Sequence, residues 1–253
     1  MFMLKTRIIP TLLFKNHSLV KGKNFDSSRV VGSVLESVKL YEVREVDELI
    51  FLDIDATTKK TDPEYDYIET ISKECFVPLC VGGGIKNLKQ IYKIFKNGAD
   101  KVSINSEAFL NPHFILEVSK EFGSQCIVVS IDYKKKNKQN LVYINSGKTK
   151  TNTNVIEFSK QMQDMGSGEI LLTSIDKDGT MLGYDYNTLK KVKKNLTIPI
   201  IASGGAGSYE DMFKAINYSK VDAVAASSVF YFRNMTPKEA KLYLIKKGIN
   251  VRI

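Results

Sequence analysis

Glu48-Leu-Ile-Phe-Leu-Asp-Ile-Asp55 and Glu169-Ile-Leu-Leu-Thr-Ser-Ile-Asp176 are one strand written twice, 121 residues apart. Each opens on a glutamate, runs through an apolar segment and ends on an acid. The same spacing of 121 carries Pro78-Leu-Cys-Val-Gly-Gly-Gly84 onto Pro199-Ile-Ile-Ala-Ser-Gly-Gly205, and a spacing of 119 carries Arg7-Ile-Ile-Pro-Thr-Leu-Leu13 onto Cys126-Ile-Val-Val-Ser-Ile-Asp132. Val102 and Val224 each begin runs that reach small polar pairs, Asn105-Ser106 and Ser227-Ser228. The chain is an internal duplication. Near-continuous apolar, β-branched runs suit strands covered on both faces, as in a parallel sheet. Such runs fall at 7–13, 48–54, 78–82, 100–104, 126–132, 169–174, 198–203 and 221–226, with helical patterns between them, among them Val31–Arg44, Ile91–Asn97, Phe114–Phe122, Val155–Met165 and Pro237–Lys247. Eight alternations in 253 residues predict an α/β fold, a closed (β/α)8 TIM barrel built from two duplicated half-barrels. No Pro/Gly/Ser-rich linker divides the chain, so residues 1–253 are expected to form a single barrel domain.

Composition removes several classes of function. No apolar run approaches the roughly 20 residues that span a bilayer, and the N-terminal stretch has no signal-peptide pattern, so a cytoplasmic protein is expected. Cys75, Cys80 and Cys126 lie in apolar stretches and are expected to be buried, unpaired thiols. With only His17 and His113 besides, no Cys/His zinc cluster can be assembled, and neither histidine falls at a predicted strand end. No metal or cofactor is expected, and acid–base chemistry is left to carboxylates and lysine. The net charge of +9 comes from lysine runs without interleaved aromatics, which fits solvated faces or an anionic substrate better than nucleic acid.

In a barrel of this kind the chemistry collects at the C-terminal ends of the strands. Gly82-Gly83-Gly84 and Ser203-Gly204-Gly205-Ala206-Gly207 each follow a strand and precede a helix, where backbone N–H groups and the helix dipole favour an anion. Two such loops at duplicate positions predict a phosphorylated small molecule held at both ends. The Gly-x-Gly-x-x-Gly spacing of dinucleotide sites is absent. Asp132 is the candidate general acid or base. Its duplicate is Leu13, which can neither give nor take a proton. Asp53, Asp55, Asp176 and Asp178 are further strand-end acids, some of them expected to hold loops through backbone N–H groups. At the opposite rim Arg7, Glu48, Lys101 and Glu169 alternate in sign. Paired charges of this kind can plug a barrel or gate it.

At these residues the chain resembles the cyclase subunit family of imidazole glycerol phosphate synthase, from histidine biosynthesis. The signatures include Arg7-Ile-Ile-Pro10, Val20-Lys-Gly22, Val81-Gly-Gly-Gly-Ile85, Ala99-Asp-Lys-Val-Ser-Ile-Asn-Ser106, Asp176-Lys-Asp-Gly-Thr180 and Ile201-Ala-Ser-Gly-Gly-Ala-Gly207. The resemblance implies a glutaminase docked on the N-terminal face, with ammonia passing a charged gate at Arg7, Glu48, Lys101 and Glu169. It implies phosphate sites at Gly84, Asn105 and Ser106 on one side and Gly179, Gly205, Ser227 and Ser228 on the other. A flexible-loop catalytic lysine is implied at Lys21, and two catalytic aspartates, of which one is Asp132 and the other is replaced by Leu13. Lys15-Asn-His-Ser18 also departs from the family pattern, and Asp55 replaces a threonine.

This pattern looks like the paralogous subfamily of acetamidino-sugar synthesis in surface glycans. The resulting expectation is a barrel that channels ammonia from a glutaminase to a separate ATP-dependent amidotransferase, its own cyclase activity weak or lost. The alternatives are a working cyclase, a lyase forming imidazole glycerol phosphate and AICAR from PRFAR and ammonia, and a non-catalytic scaffold that stimulates the glutaminase.

Overall fold

The computed structural model describes residues 5–252. Its strands are β1 (Arg7–Lys15), β2 (Ser18–Lys23), β3 (Asp26–Gly32), β4 (Leu49–Asp53), β5 (Leu79–Gly82), β6 (Lys101–Ile104), β7 (Ile127–Lys136), β8 (Gln139–Ile144), β9 (Thr149–Asn154), β10 (Glu169–Ser174), β11 (Ile200–Ser203) and β12 (Ala223–Ala226). Eight of them, in the order β1-β4-β5-β6-β7-β10-β11-β12, pair in parallel, and β12 returns to β1 to close the (β/α)8 barrel. They coincide with the eight expected runs to within about two residues, except that β1 and β7 continue outward to Lys15 and Lys136.

Those extensions carry antiparallel hairpins that lie outside the eight expected runs. β2 and β3 follow β1, and β8 and β9 follow β7, with β2 and β8 again 121 residues apart. Asn16-His17, Asn24-Phe25 and Asn137-Lys138 are two-residue turns in which both residues have positive φ. That backbone matches the twist of the flanking strands and favours asparagine at its first position. Asn145-Ser146, also at positive φ, begins the fourth turn. The helix expected from Val31 begins instead at Val34, because Val31 belongs to β3. His17, expected away from strand ends, sits in the turn two residues beyond β1. Only Cys80 of the three free thiols is fully buried, while Cys75 and Cys126 are half-buried.

Alternation along the strands sorts side chains into two cores. On β1, Ile8, Leu12 and Phe14 pack outward against the helices, whereas Ile9 joins Ile50, Cys80, Val128, Leu171, Ile201, Ala223 and Ala225 inside the barrel. Three aspartates at the N-terminal rim fix neighbouring strands. Asp47 Oδ2 accepts the Ile8 N–H, Asp100 Oδ2 that of Leu79 and Asp222 Oδ2 that of Ile200, each at 2.8 Å. Lys241, from the helix Pro237–Lys246, closes on the buried Asp47 at 2.7 Å. No helix among the described residues is long and apolar enough to cross a membrane.

Asp47→Ala would leave the Lys241 ammonium buried without its carboxylate and the Ile8 N–H without its acceptor. The expected loss is about 3–5 kcal/mol of stability. Urea unfolding monitored by circular dichroism checks it, and a loss below about 1 kcal/mol would contradict the assignment.

Candidate active site and charged ring

The four rim residues expected to alternate in sign form a closed ring. Arg7 Nη1 donates to Glu48 Oε2 at 2.7 Å, and its Nη2 to Glu169 Oε2 at 3.0 Å. Lys101 Nζ bonds Glu48 Oε2 and Glu169 Oε1, both at 3.0 Å. Each charge thus touches two of opposite sign. Burial works against the Arg7 and Lys101 charges, but the glutamates outweigh it, so both cations hold their protons more firmly than usual. Directly above the ring lies the apolar interior layer containing Ile9, Cys80 and Leu171.

Beyond that layer the barrel opens at its C-terminal end into a cavity. Thr11, Leu13 and Lys15 from β1 line it, as do Ser130 and Asp132 from β7 and Thr173 from β10. Leu13 and Asp132 therefore occupy the duplicate positions of one mouth, as the spacing of 119 predicted. The cavity also contains the buried hydroxyls of Thr11 and Ser103, neither of which has a hydrogen-bond partner.

Asp132 is buried, and desolvation, with Asp178 as a second negative charge, pushes its carboxyl up to about 7. Asn105 Nδ2 donates to Asp132 Oδ2 at 3.0 Å and partly offsets that effect. Asp178 is itself pushed up to about 6 by burial, against the pull of Lys21 and the N–H groups of Phe25 and Gly179.

Lys21 is not on an irregular loop. It lies on β2, is 2% exposed, and burial lowers its ammonium to about 7. Its Nζ donates to the Thr11 carbonyl at 3.1 Å and to Ser227 Oγ, and it lies 5.0 Å from the centre of the Tyr231 ring. The hairpin thus buries the lysine in the wall of the mouth, beside Ser227, one of the residues expected to hold phosphate.

The two expected anion sites separate as predicted in sequence and meet in space. Gly84, Asn105 and Ser106 line a cleft on the first-half side, which shares Gly83, Ser103 and Asn105 with the central cavity. Gly179, Gly205, Ser227 and Ser228 line the central cavity on the other side. Gly84 and Gly179 are required as glycine. At Gly84, with φ of +72°, a Cβ would stand 2.9 Å from the Thr61 carbonyl, and at Gly179, with φ of +69°, 1.9 Å from that of Gly22.

The remaining acids hold loops or cations. Asp53 Oδ1 accepts the N–H groups of Asp55 and Ala56 at 3.0 and 3.1 Å, and burial raises its pKa. Asp55 is bound by Lys59 at 3.0 Å and approached by Lys15 at 4.0 Å. Asp176 is exposed and accepts the Lys135 N–H at 2.8 Å.

The hairpin tips close the mouth by crossing. Asn24 Nδ2 donates to the carbonyl of Ile175, and Ser146 Oγ to that of Ile54, at 3.1 and 2.8 Å. Ile54 and Ile175 are themselves duplicates at a spacing of 121, so each half clasps the other. Phe25 packs with Leu141, Tyr143 and Ile175. The asparagines at 16, 24, 137 and 145 were the signal for these hairpins.

Fold and site define a (β/α)8 barrel with a closed ring of charges at one end and a carboxylate-bearing, glycine-edged mouth at the other. The chain belongs to the histidine biosynthesis protein family, whose profile matches residues 7–236. It is 44% identical over 251 residues to the imidazole glycerol phosphate synthase subunit HisF of Chlorobaculum parvum, covering 99% of this chain and 100% of the relative. The subunit HisF of Dictyoglomus thermophilum is 46% identical over 252 residues, at 99% and 100% coverage. That of Dehalococcoides mccartyi is 43% identical over 251 residues, at 99% of each chain. These relatives favour the histidine-biosynthesis reading over the acetamidino-sugar reading that Leu13 first suggested.

Asp132 keeps its proton in the folded chain up to about pH 7, whereas the unfolded chain loses it near the ordinary carboxylate value of about 4. Between those limits the native state binds the extra proton, so this group's contribution to stability falls as pH rises. Asp132→Asn is expected to be more stable than the natural protein at pH 8, by on the order of 4 kcal/mol at most. At pH 3 the two should match. Urea midpoints across this range test it, and a pH-independent difference would contradict the assignment.

Proposed function

We propose that this chain is the barrel subunit of an imidazole glycerol phosphate synthase, using ammonia from a glutaminase partner to convert PRFAR into imidazole glycerol phosphate and AICAR. The observation that carries this reading is the presence of both ends of the reaction path in one barrel. The ring lies at the N-terminal rim, and the Asp132 mouth, with one cleft beside it and the second glycine loop in its own wall, lies at the other. The full-length relatives supply the substrate class.

The glutaminase docks on the rim that holds the ring. The apolar layer above the ring admits neutral ammonia far more readily than ammonium, because an unpaired charge there would be strongly disfavoured. At the mouth, the unpartnered hydroxyls of Thr11 and Ser103 offer ammonia hydrogen bonds. The clefts at Gly84 and Gly205 hold the two phosphates. Asp132, protonated to about pH 7, serves as the acid or base at the reacting centre. Lys21, held at Ser227, adds positive charge on the second side.

One observation favours a second reading. Leu13 faces the mouth where the duplication calls for a carboxylate, and losing one acid–base partner commonly lowers a rate by about 10²–10⁴. On this reading the barrel delivers ammonia to a separate ATP-dependent amidotransferase that forms an acetamidino sugar. PRFAR and saturating ammonium distinguish the two. Product formation at a rate typical of a cyclase supports the first reading, and its absence from a folded, substrate-binding protein supports the second.

Two substitutions extend the test. Leu13→Asp is expected to raise cyclase activity with ammonium, though incompletely. The neighbouring turn at Asn16-His17 has diverged as well, and a displacement of about 1 Å can forfeit on the order of a hundredfold in rate. Lys101→Met breaks the ring while sparing the mouth. In complex with the glutaminase it should reduce product from glutamine and leave product from added ammonium nearly unchanged. Equal loss with both nitrogen sources would refute a gating role.

A further inference from the structure

A continuous run of hydrogen bonds leads from the first-half cleft to the buried carboxylate. The Asn145 N–H, at the tip of the β8–β9 hairpin, donates to Ser106 Oγ at 2.9 Å. The Ser106 hydroxyl donates to Asn105 Oδ1 at 3.2 Å, and Asn105 Nδ2 donates to Asp132 Oδ2 at 3.0 Å. Asn105 Nδ2 also reaches the Ser130 carbonyl at 2.9 Å. The amide is therefore held by Ser106 at one end and spans β6 to β7 at the other.

The duplicate half shows what this run belongs with. Its equivalents of Asn105 and Asp132 are Ser227 and Leu13, on the neighbouring pair β12 and β1. There the Ser227 hydroxyl bonds the Thr11 carbonyl and the Lys21 ammonium instead. The half that keeps the aspartate keeps an amide facing it, and the half that lost the carboxylate has none.

We propose that Asn105 is a positioning residue for Asp132, communicating to the carboxylate whether an anion occupies the cleft at Gly84 and Ser106. This rests on the reading of that cleft as a phosphate site. A phosphate oxygen only accepts hydrogen bonds, so on entering it draws the Ser106 hydroxyl and the Asn145 N–H to itself. Asn105 then loses the partner that fixes its orientation, and its donation to Asp132 weakens. The carboxyl keeps its proton to higher pH when substrate is bound, which is the form a general acid needs. The charged groups around Asp132 are Asp178 after β10, Lys21 of β2 beside it, and Lys15, Asp53, Asp55 and Lys148 on the same mouth. None of them lies on the hydrogen-bonded run.

The test follows the Asp132 carboxyl by carbon-13 NMR in the intact chain. Inorganic sulfate serves as the probe because it is a tetrahedral dianion that does not titrate in this range. In the natural protein the midpoint is expected near 7, rising by about one pH unit with saturating sulfate, the worth of one such hydrogen bond. Asn105→Leu should start higher and respond only through the field of the sulfate itself. Ser106→Ala lacks from the outset the hydroxyl that holds Asn105, so it should start above the natural value and lose most of the response. Equal sulfate-driven shifts in the natural protein and Asn105→Leu would overturn the proposal. If that variant does not fold, an undiminished response in Ser106→Ala overturns it. Sulfate that leaves the Gly84 amide resonance unmoved in the natural protein would defeat the phosphate reading and the relay together. Binding without relay defeats only the latter.

Discussion

A strand hydrogen-bonded on both edges has no freedom to rotate its side chains. Each residue faces either the barrel axis or the helices, and the choice alternates by one. On β1 this sends Arg7, Ile9, Thr11, Leu13 and Lys15 inward in sequence. On β7 it sends Val128, Ser130 and Asp132 inward. Charge, hydrocarbon, hydroxyl and carboxylate therefore follow one another up the axis as layers, each completed by strands on the far side. A one-residue slip in β1 would place Ile8 in the ring and Phe14 in the mouth. The Asp47 bond to the Ile8 N–H opposes such a slip at the end where an error would carry furthest.

The upper layers are electrostatically unlike the lower one. In the ring every charge finds two opposite partners within 3.2 Å, so desolvation is compensated. At the mouth compensation is incomplete. Asp132 and Asp178 are both acids in a confined space, Lys21 is the buried cation beside them, and all three are displaced toward neutral pH. Neutral-pH titration is a property of sites built for proton transfer. Pairing compensates the burial of charge in the ring, whereas the buried charges of the mouth are left only partly compensated.

What could be read in the sequence follows the same division. The eight barrel strands, the two glutamates of the ring and the two glycine loops repeat at fixed spacings, and Arg7 and Lys101 open strands as those glutamates do, so they were legible. The hairpins were not, because the Lys134-Lys-Lys136 run and the polar Thr149–Asn154 segment do not resemble strands. Their signal lay in four asparagines, each beginning a turn at positive φ. Lys21 was found, but its burial was not, since a lysine in a polar stretch gives no sign that it will be drawn beneath Tyr231. Asp53 holds its own loop through the N–H groups of Asp55 and Ala56, the role expected of some strand-end acids. The partners of Asp176 and Asp55, the Lys135 N–H and the Lys15 and Lys59 ammoniums, come into reach only in the folded chain.

The crossed clasp has a consequence for how such a chain could arise. Asn24 reaches the Ile175 carbonyl and Ser146 reaches that of Ile54, so neither half can satisfy its own tip. A half-barrel alone would leave a donor and an acceptor exposed. Two identical halves would satisfy both by exchanging tips, as in a domain-swapped pair. The two contacts are made by non-equivalent positions, since the duplicates of Asn24 and Ser146 are Asn145 and Phe25, which bond and pack elsewhere. Once the halves share one chain, the symmetry is no longer enforced and each tip is free to specialise. The first carries Phe25 into a small apolar cluster, and the second sets the Ser146 hydroxyl on the Ile54 carbonyl and the Asn145 backbone N–H on Ser106 Oγ. The crossing of the tips is thus common to both halves, while the groups that make it differ, and with them the chemistry of the two sides of the mouth.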